Sequence, residues 1–386
     1  MRVSDIDYAR IGLWSHTDLA YIQQDPALRP YYAYPPTLGS FNEELANRQS
    51  FKTDRKLLAR VLHRQYHALG YELPVLKSVI EDERTFTIAT AHQPVLFTGP
   101  LFHIYKIAGT IHLARQLQHE HQGYQFLPVF VLGSEDHDWA EVNHFHLFGK
   151  TITWDRQASG ANGRLDLSGL QVVTNEVSTL LGNSPHGAEI SLMLEDALKR
   201  ATTYAQFHQA LLIRLFRDHG LVILDMDDPD LKRSFLPVLK KEIESQFSLP
   251  LVTATQSDLE NAGFKAQAFC RPVNLFYLSE GMRERLEPTT DGFMGVDSKK
   301  QFSKIELLDE VEQHPERFSP NVILRPVYQE WVLPNLAYIG GGGELAYWLE
   351  RKSQFEAAHT HFPMLVRRNS LLLIDAPTQQ QIEKSG

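Results

Sequence analysis

Between residues 134 and 146 the chain reads Ser-Glu-Asp-His-Asp-Trp-Ala-Glu-Val-Asn-His-Phe-His. Seven of these side chains titrate: Glu135, Asp136, His137, Asp138, Glu141, His144 and His146, with no Lys or Arg among them. A solvated face would interleave basic groups with the acids. An imidazole next to a carboxylate can act as a general base, because the carboxylate orients the ring and raises its basicity. That chemistry points to His137 with Asp136 or Asp138. The same residue types can bind a metal, through Asp136, His137, Asp138 or His144. A purely structural role would make Ser134 a helix N-cap, with acids favoured in the first turn. That role accounts for Glu135 and Asp136 but not for His137, Asn143 and His144.

Two more stretches could hold a ligand. Gln93-Pro-Val-Leu-Phe-Thr-Gly-Pro-Leu runs from a strand into a helix and brings Thr98, Gly99 and Pro100 to the helix start. Exposed backbone N–H groups and the helix dipole favour a phosphate there, and Lys106 follows on an early turn. An ordinary strand-to-helix turn is the competing reading. Gly340 to Gly343 followed by Glu344 lets a ligand approach the backbone closely, although the stretch matches no complete phosphate-loop pattern. Arg325, in Arg-Pro-Val-Tyr-Gln-Glu, is suited to a bidentate grip on carboxylate or phosphate, as are Arg271 and Arg283. Cys270 has no flanking residues that would lower its pKa and reads as a buried filler.

The elements that must position these groups follow from hydrophobic pattern. Residues 85–91 and 126–133 read as buried strands, with a helix over 103–118 between them, which is a βαβ crossover in outline. The acidic and imidazole cluster then sits at the carboxyl end of a strand, where α/β proteins bind ligands. Residues 220–225 give a third strand ending in an acid, and 333–340 a fourth, followed by a helix over 344–358. Residues 364–375 suggest a last strand pair, and 47–67 a helix. We divide the chain into an N-terminal helical segment (1–80), a first half of the core (81–150) and an insertion (151–210). The core continues at 211–249, a second insertion spans 250–325, and the core ends at 326–376. Residues 377–386 begin a helical arm.

The chain has 386 residues, 43% of them hydrophobic, enough for a large core. A formal charge of −9 argues against a nucleic-acid partner. One cysteine excludes an internal disulfide and a Cys-rich zinc site and fits a reducing cytoplasm. No apolar run approaches the roughly 18 residues of a membrane helix, so no membrane partner is expected.

His92-Gln-Pro-Val-Leu-Phe-Thr-Gly-Pro-Leu-Phe-His-Ile-Tyr-Lys106, the block 134–144, Arg325-Pro-Val-Tyr-Gln-Glu330, residues 340–348 and Arg367-Arg-Asn-Ser-Leu-Leu-Leu-Ile-Asp375 together resemble the bacillithiol biosynthesis cysteine-adding enzyme family. The resemblance covers almost the whole chain. It implies an α/β, Rossmann-like parallel sheet with connecting-peptide insertions, akin to class I aminoacyl-tRNA synthetases. The His-Ile-Gly-His motif of those synthetases is not present at Gly99–Lys106. The resemblance implies a ligase that adds cysteine to glucosaminyl-malate to form bacillithiol, with ATP and Mg2+ as cofactors. Relatives continue into a helical coiled coil that pairs subunits. The given sequence stops at Gly386, so the family's homodimer is expected but not placed on these residues.

The expected roles are therefore as follows. His137, Asp136 and Asp138 are catalytic. Gln93, Thr98, Gly99, Lys106, Gly341 and Gly343 bind the nucleotide. Glu135, Asn143, His144, Arg325 and Glu344 contact the small-molecule substrates, and no residue is assigned to a resident metal. The rival readings are a metal-dependent hydrolase built on Asp136, His137, Asp138 and His144, and a non-catalytic nucleotide-binding scaffold.

Overall fold

A computed structural model describes residues 3–72 and 74–385. Residues 1–2 and 386, the outer ends of the expected first and last segments, lie outside it, as does Leu73. β1 (Thr85–His92) is buried from Thr85 to Thr90, as its β-branched and small apolar residues require of a strand covered on both faces. The helix Phe102–Glu120 crosses over to β2 (Gln125–Leu132), which pairs with β1 in unbroken parallel register from Thr85↔Gln125 to His92↔Leu132. A hairpin of β3 (His144–Leu147) and β4 (Lys150–Thr153) follows. Three helices, Leu170–Leu181, Pro185–Arg200 and Tyr204–Phe216, then lead to β5 (Val222–Asp225), parallel to β2.

Next comes a separate antiparallel sheet: β6 (Leu275–Ser279), β7 (Met282–Pro288), β8 (Gly292–Gly295), β9 (Gln301–Ser303) and β10 (Phe318–Pro320), in the order β10-β6-β7-β8-β9. The chain returns to the first sheet with β11 (Asn335–Gly340) and β12 (Met364–Arg367). The central order is β12-β11-β1-β2-β5, all parallel. The chain builds outward from β1 on one side and then on the other. The order reverses between β1 and β11, and a crevice opens at their carboxyl ends. The α/β class and the parallel sheet agree with the sequence.

Four local expectations need correction. The helix over 47–67 is two helices, Phe41–Gln49 and Arg55–Ala68. Asp54 caps the second, accepting from Leu57 N at 2.9 Å, and Arg48 Nη1 donates to Phe51 O at 2.7 Å to hold the break. The helix over 344–358 is likewise two, Gly342–Leu349 and Lys352–Ala357, parted at the buried Glu350 and Arg351. The last strand pair is one strand, because Leu371 to Ile374 lie exposed instead of entering the sheet. Ser134 caps no helix; its hydroxyl donates to Asp225 Oδ1, and the next helix, Trp139–Val142, is capped by Asp138.

The N-terminal helix His16–Ile22 is tied to the sheet. Arg367 grips Asp18 through two bonds of 2.8 and 2.9 Å, and Tyr21 Oη donates to Leu365 O. A Cβ on Gly342 would lie 2.0 Å from Asp18 Oδ2, so only glycine fits that helix–helix contact.

Candidate active site

At the switch point between β1 and β11, Lys106 comes from the crossover helix and Glu344 from the helix after β11. Lys106 is 1% exposed, and its Nζ donates to Glu344 Oε1 and Oε2 at 2.8 and 2.9 Å and to Ala91 O at 2.7 Å. Tyr338 Oη donates to Glu344 Oε1, and Gly341 N donates to Oε2 at 2.7 Å. Burial alone would raise the Glu344 carboxyl, but Lys106 and the Gly341 N–H hold it below the usual range. The start of the helix Gly342–Leu349 thus already carries an anion of its own. Gly343 has open space where a Cβ would stand.

The strand-to-helix loop beside this pair has unusual backbone. Phe97, Thr98 and Gly99 have φ of 45°, 72° and 51° in succession. Gly99 also lies against Val95, whose Cβ would be 2.9 Å from an added Cβ. The helix Phe102–Glu120 receives no side-chain cap; Pro100 O takes the His103 N–H at 2.9 Å, and the positive end of the helix dipole lies at the loop. Gln93 turns away toward the cluster and donates to Glu141 Oε2 at 2.7 Å.

The centre of the site is built from three distant parts of the chain. Asp136 follows β2 and is held by Arg325 Nη1 at 3.1 Å, with Arg283 Nη1 at 4.0 Å. Burial opposes ionisation, yet the two guanidinium groups and the His137 N–H keep the Asp136 carboxyl well below its ordinary value. Arg283, on β7, donates to His137 Nδ1 at 2.6 Å and lies 3.8 Å from the centre of the Phe276 ring. Phe276 on β6 also packs against the His137 ring. The antiparallel sheet therefore supplies one wall of the site and the central sheet its floor. Burial first, and then Arg283, pull the His137 pKa down, so the ring is neutral. With Nδ1 accepting from Arg283, the ring proton sits on Nε2. His137 thus presents a donor. The expected base geometry is not formed, since Asp136 Oδ1 is 3.8 Å from Nδ1 and Arg283 takes that nitrogen.

Toward β5 lies a buried charge network. Lys232, 1% exposed, bridges Glu135 Oε1 at 2.5 Å and Asp227 Oδ1 at 2.7 Å. Arg164 holds Asp227 from the other side, at 2.5 and 2.8 Å. Asp225 ends β5 and lines a cavity of about 420 Å³ with Ser134, Gln209 and Arg164. Burial, followed by the charge of Asp227, pushes its pKa up to about 7. Gly163 rests so close that an added Cβ would be 2.4 Å from Ser134 Cβ.

The structure thus brings Asp136, His137 and Arg325 together, and places Gln93, Thr98, Gly99 and Gly341 around the same strand ends. Glu135, Lys106 and Glu344 are committed to internal ion pairs. Asp138 is a helix cap, and Asn143 Oδ1 contacts His144 Nδ1 at 3.0 Å at the start of the separate hairpin. Among the described residues no three His, Cys, Asp or Glu side chains converge as a metal site requires, which leaves the hydrolase reading without its donor set. Sequence reasoning passed over Asp225, Asp227 and Lys232. An acid at a strand's carboxyl end was the available signal for Asp225.

A profile of the bacillithiol biosynthesis BshC N-terminal Rossmann-like domain matches residues 1–369. A relative from Flavobacterium johnsoniae, named "Putative cysteine ligase BshC", is 40% identical over 384 residues, covering 98% of this chain and 72% of the relative. Relatives of the same name from Cytophaga hutchinsonii and Bacillus cereus are 35% and 30% identical, covering 95% and 92% of this chain and 70% and 68% of their own. With its parallel sheet, its site at the strand ends and these matches over nearly its full length, the chain belongs to the bacillithiol biosynthesis BshC family.

Proposed function

We propose that this chain is a carbon–nitrogen ligase that joins cysteine to glucosaminyl-malate through an amide bond, forming bacillithiol. The observation that carries the reading is the meeting of Arg325, Arg283 and His137 around Asp136 at the strand ends, in a member of this family. Both substrates carry carboxylates. Arg325 touches Asp136 through Nη1 and is 30% exposed, so its remaining N–H groups can grip a substrate carboxylate. Arg283, only 2% exposed, fixes His137 instead. His137 Nε2–H is then a donor for an oxygen that gains charge as the amide forms. Asp225, poised near neutral pH beside an open cavity, suits removal of the proton that the sugar amine must lose.

ATP with Mg2+, when bound, makes the cysteine carboxylate electrophilic by supplying its leaving group. The uncapped start of the helix Phe102–Glu120, with Thr98 and Gly99, fits its phosphates. Lys106 reaches them only by leaving Glu344. Mg2+ would arrive with the phosphates, which suits an ion that keeps few protein ligands. The single Cys270 fits a reducing cytoplasm, and no helix among the described residues is long and apolar enough to cross a membrane. The family's homodimer is part of this proposal. The test is incubation with cysteine, glucosaminyl-malate and ATP, followed by mass spectrometry. The expected result is the amide product together with AMP or ADP. Folded protein that yields neither overturns the proposal.

A further inference from the structure

The helix Arg325–Val332 enters the active site only with its first residue. Glu330, five residues on, lies near the amino-terminal edge of the central sheet, beside the start of β11. Gln329 Nε2 and Asn335 Nδ2 both donate to Glu330 Oε1, at 2.8 and 3.0 Å, whereas Oε2 meets no partner. The side chain is 2% exposed. His361 nearby is similar: Nε2 pairs with Glu44 Oε1 at 2.7 Å, and Nδ1 is unpartnered. Two buried polar side chains with orphaned atoms are costly unless something meets them.

Both line a cavity of about 720 Å³, within the range of roughly 300–1,000 Å³ typical of small-molecule sites. Its walls include the apolar Leu57, Leu231, Val238 and Trp331. Its cations are Arg48, Lys52 and Lys241. Arg48 is spent on Phe51 O, Thr53 and Leu333 O, and Lys241 donates to Ala357 O at 2.7 Å while keeping two further N–H groups. Of the acids, Asp54 caps a helix and Glu330 is raised by burial to about 8, so it is neutral at pH 7. With Oε1 accepting twice, its proton lies on Oε2 and is a donor. The cavity therefore combines an apolar wall, three cations against the one acid Asp54, and a buried O–H.

We propose that this cavity is a second ligand site, separate from the crevice at the strand ends, for an amphipathic organic anion whose apolar body lies along Leu57, Val238 and Trp331 and whose head meets Lys52 and Lys241. The test is calorimetry of the whole chain with octanoate and, separately, octylamine, so that binding is read without reference to the ligase reaction. Saturable octanoate binding, no octylamine binding, and at least tenfold weaker octanoate binding in Lys52→Glu/Lys241→Glu are expected. A Glu330→Gln variant, which keeps a donor at the same atom, should retain binding. No octanoate binding, equal binding of both probes, or unchanged binding in the charge-reversed variant overturns the proposal. So does displacement of octanoate by cysteine or glucosaminyl-malate, which would put the anion in the crevice.

Discussion

Arg283 determines which proton His137 can offer. Its bond to Nδ1 leaves Nε2–H outward, and glutamine carries an N–H at nearly the same place. His137→Gln should therefore keep part of the turnover, while His137→Ala loses on the order of 10²-fold or more in kcat with an unchanged melting temperature. Equal loss in both variants would remove the donor role. Arg283→Met should raise the His137 pKa, because burial would then act without the neighbouring positive charge. An NMR titration of the His137 ring should show that rise; a pKa that stays put or moves down refutes the coupling. At this scale the sequence showed the cluster but not its partners. His137 and Asp136 stood out by density of acids and imidazoles. Their guanidinium partners lie 146 and 189 residues away in the chain, and no local pattern links them.

Two helices that start at adjacent strand ends are locked by Lys106 and Glu344. Lys106 is buried, but Glu344 is 27% exposed and keeps its bonds from Tyr338 and Gly341, so Lys106→Met should cost about 1–3 kcal/mol. Adding Glu344→Leu should recover part of that loss, because no charge is then left uncompensated. Denaturant unfolding of both singles and the double variant checks this, and a strictly additive double variant would contradict it. The elements themselves were legible where hydrophobic spacing was regular, as in β1, the helix Phe102–Glu120 and β2. They were misread where tertiary bonds outweighed local pattern. The break at residues 50–54 is held by the Asp54 cap and by Arg48. The apolar run Leu371–Ile374 looks like a strand, yet it pairs with no neighbour in the sheet.

Across the whole molecule, buried acids set how stability responds to pH. Burial raises Glu44 to about 9 and Glu330 to about 8. A group with a raised carboxyl pKa binds its proton more tightly in the folded state, so its contribution is full below the unfolded value, near 4.5, and is lost as pH rises through the folded one. Stability should therefore fall between pH 7 and pH 9, with Glu330 accounting for about 1 kcal/mol of the loss. Glu330→Gln should flatten that part of the curve in thermal melts, and an unchanged slope would exclude Glu330 as its source. The parallel sheet and the place of the candidate site at its carboxyl end were legible in the sequence because strands and crossovers repeat in order. The return of β11 to the far side of β1 was not, since strand order is a property of packing. The backbone at residues 97–99 has a further bearing on the molecule as a whole. A phenylalanine and a threonine occupy the left-handed region there, at roughly 1–2 kcal/mol each. Glycine would relieve that penalty, so Thr98→Gly should raise the melting temperature while slackening the loop proposed to hold the nucleotide. Directed evolution for heat resistance alone would then select against activity at this position, and a library scored on both traits should separate the two demands.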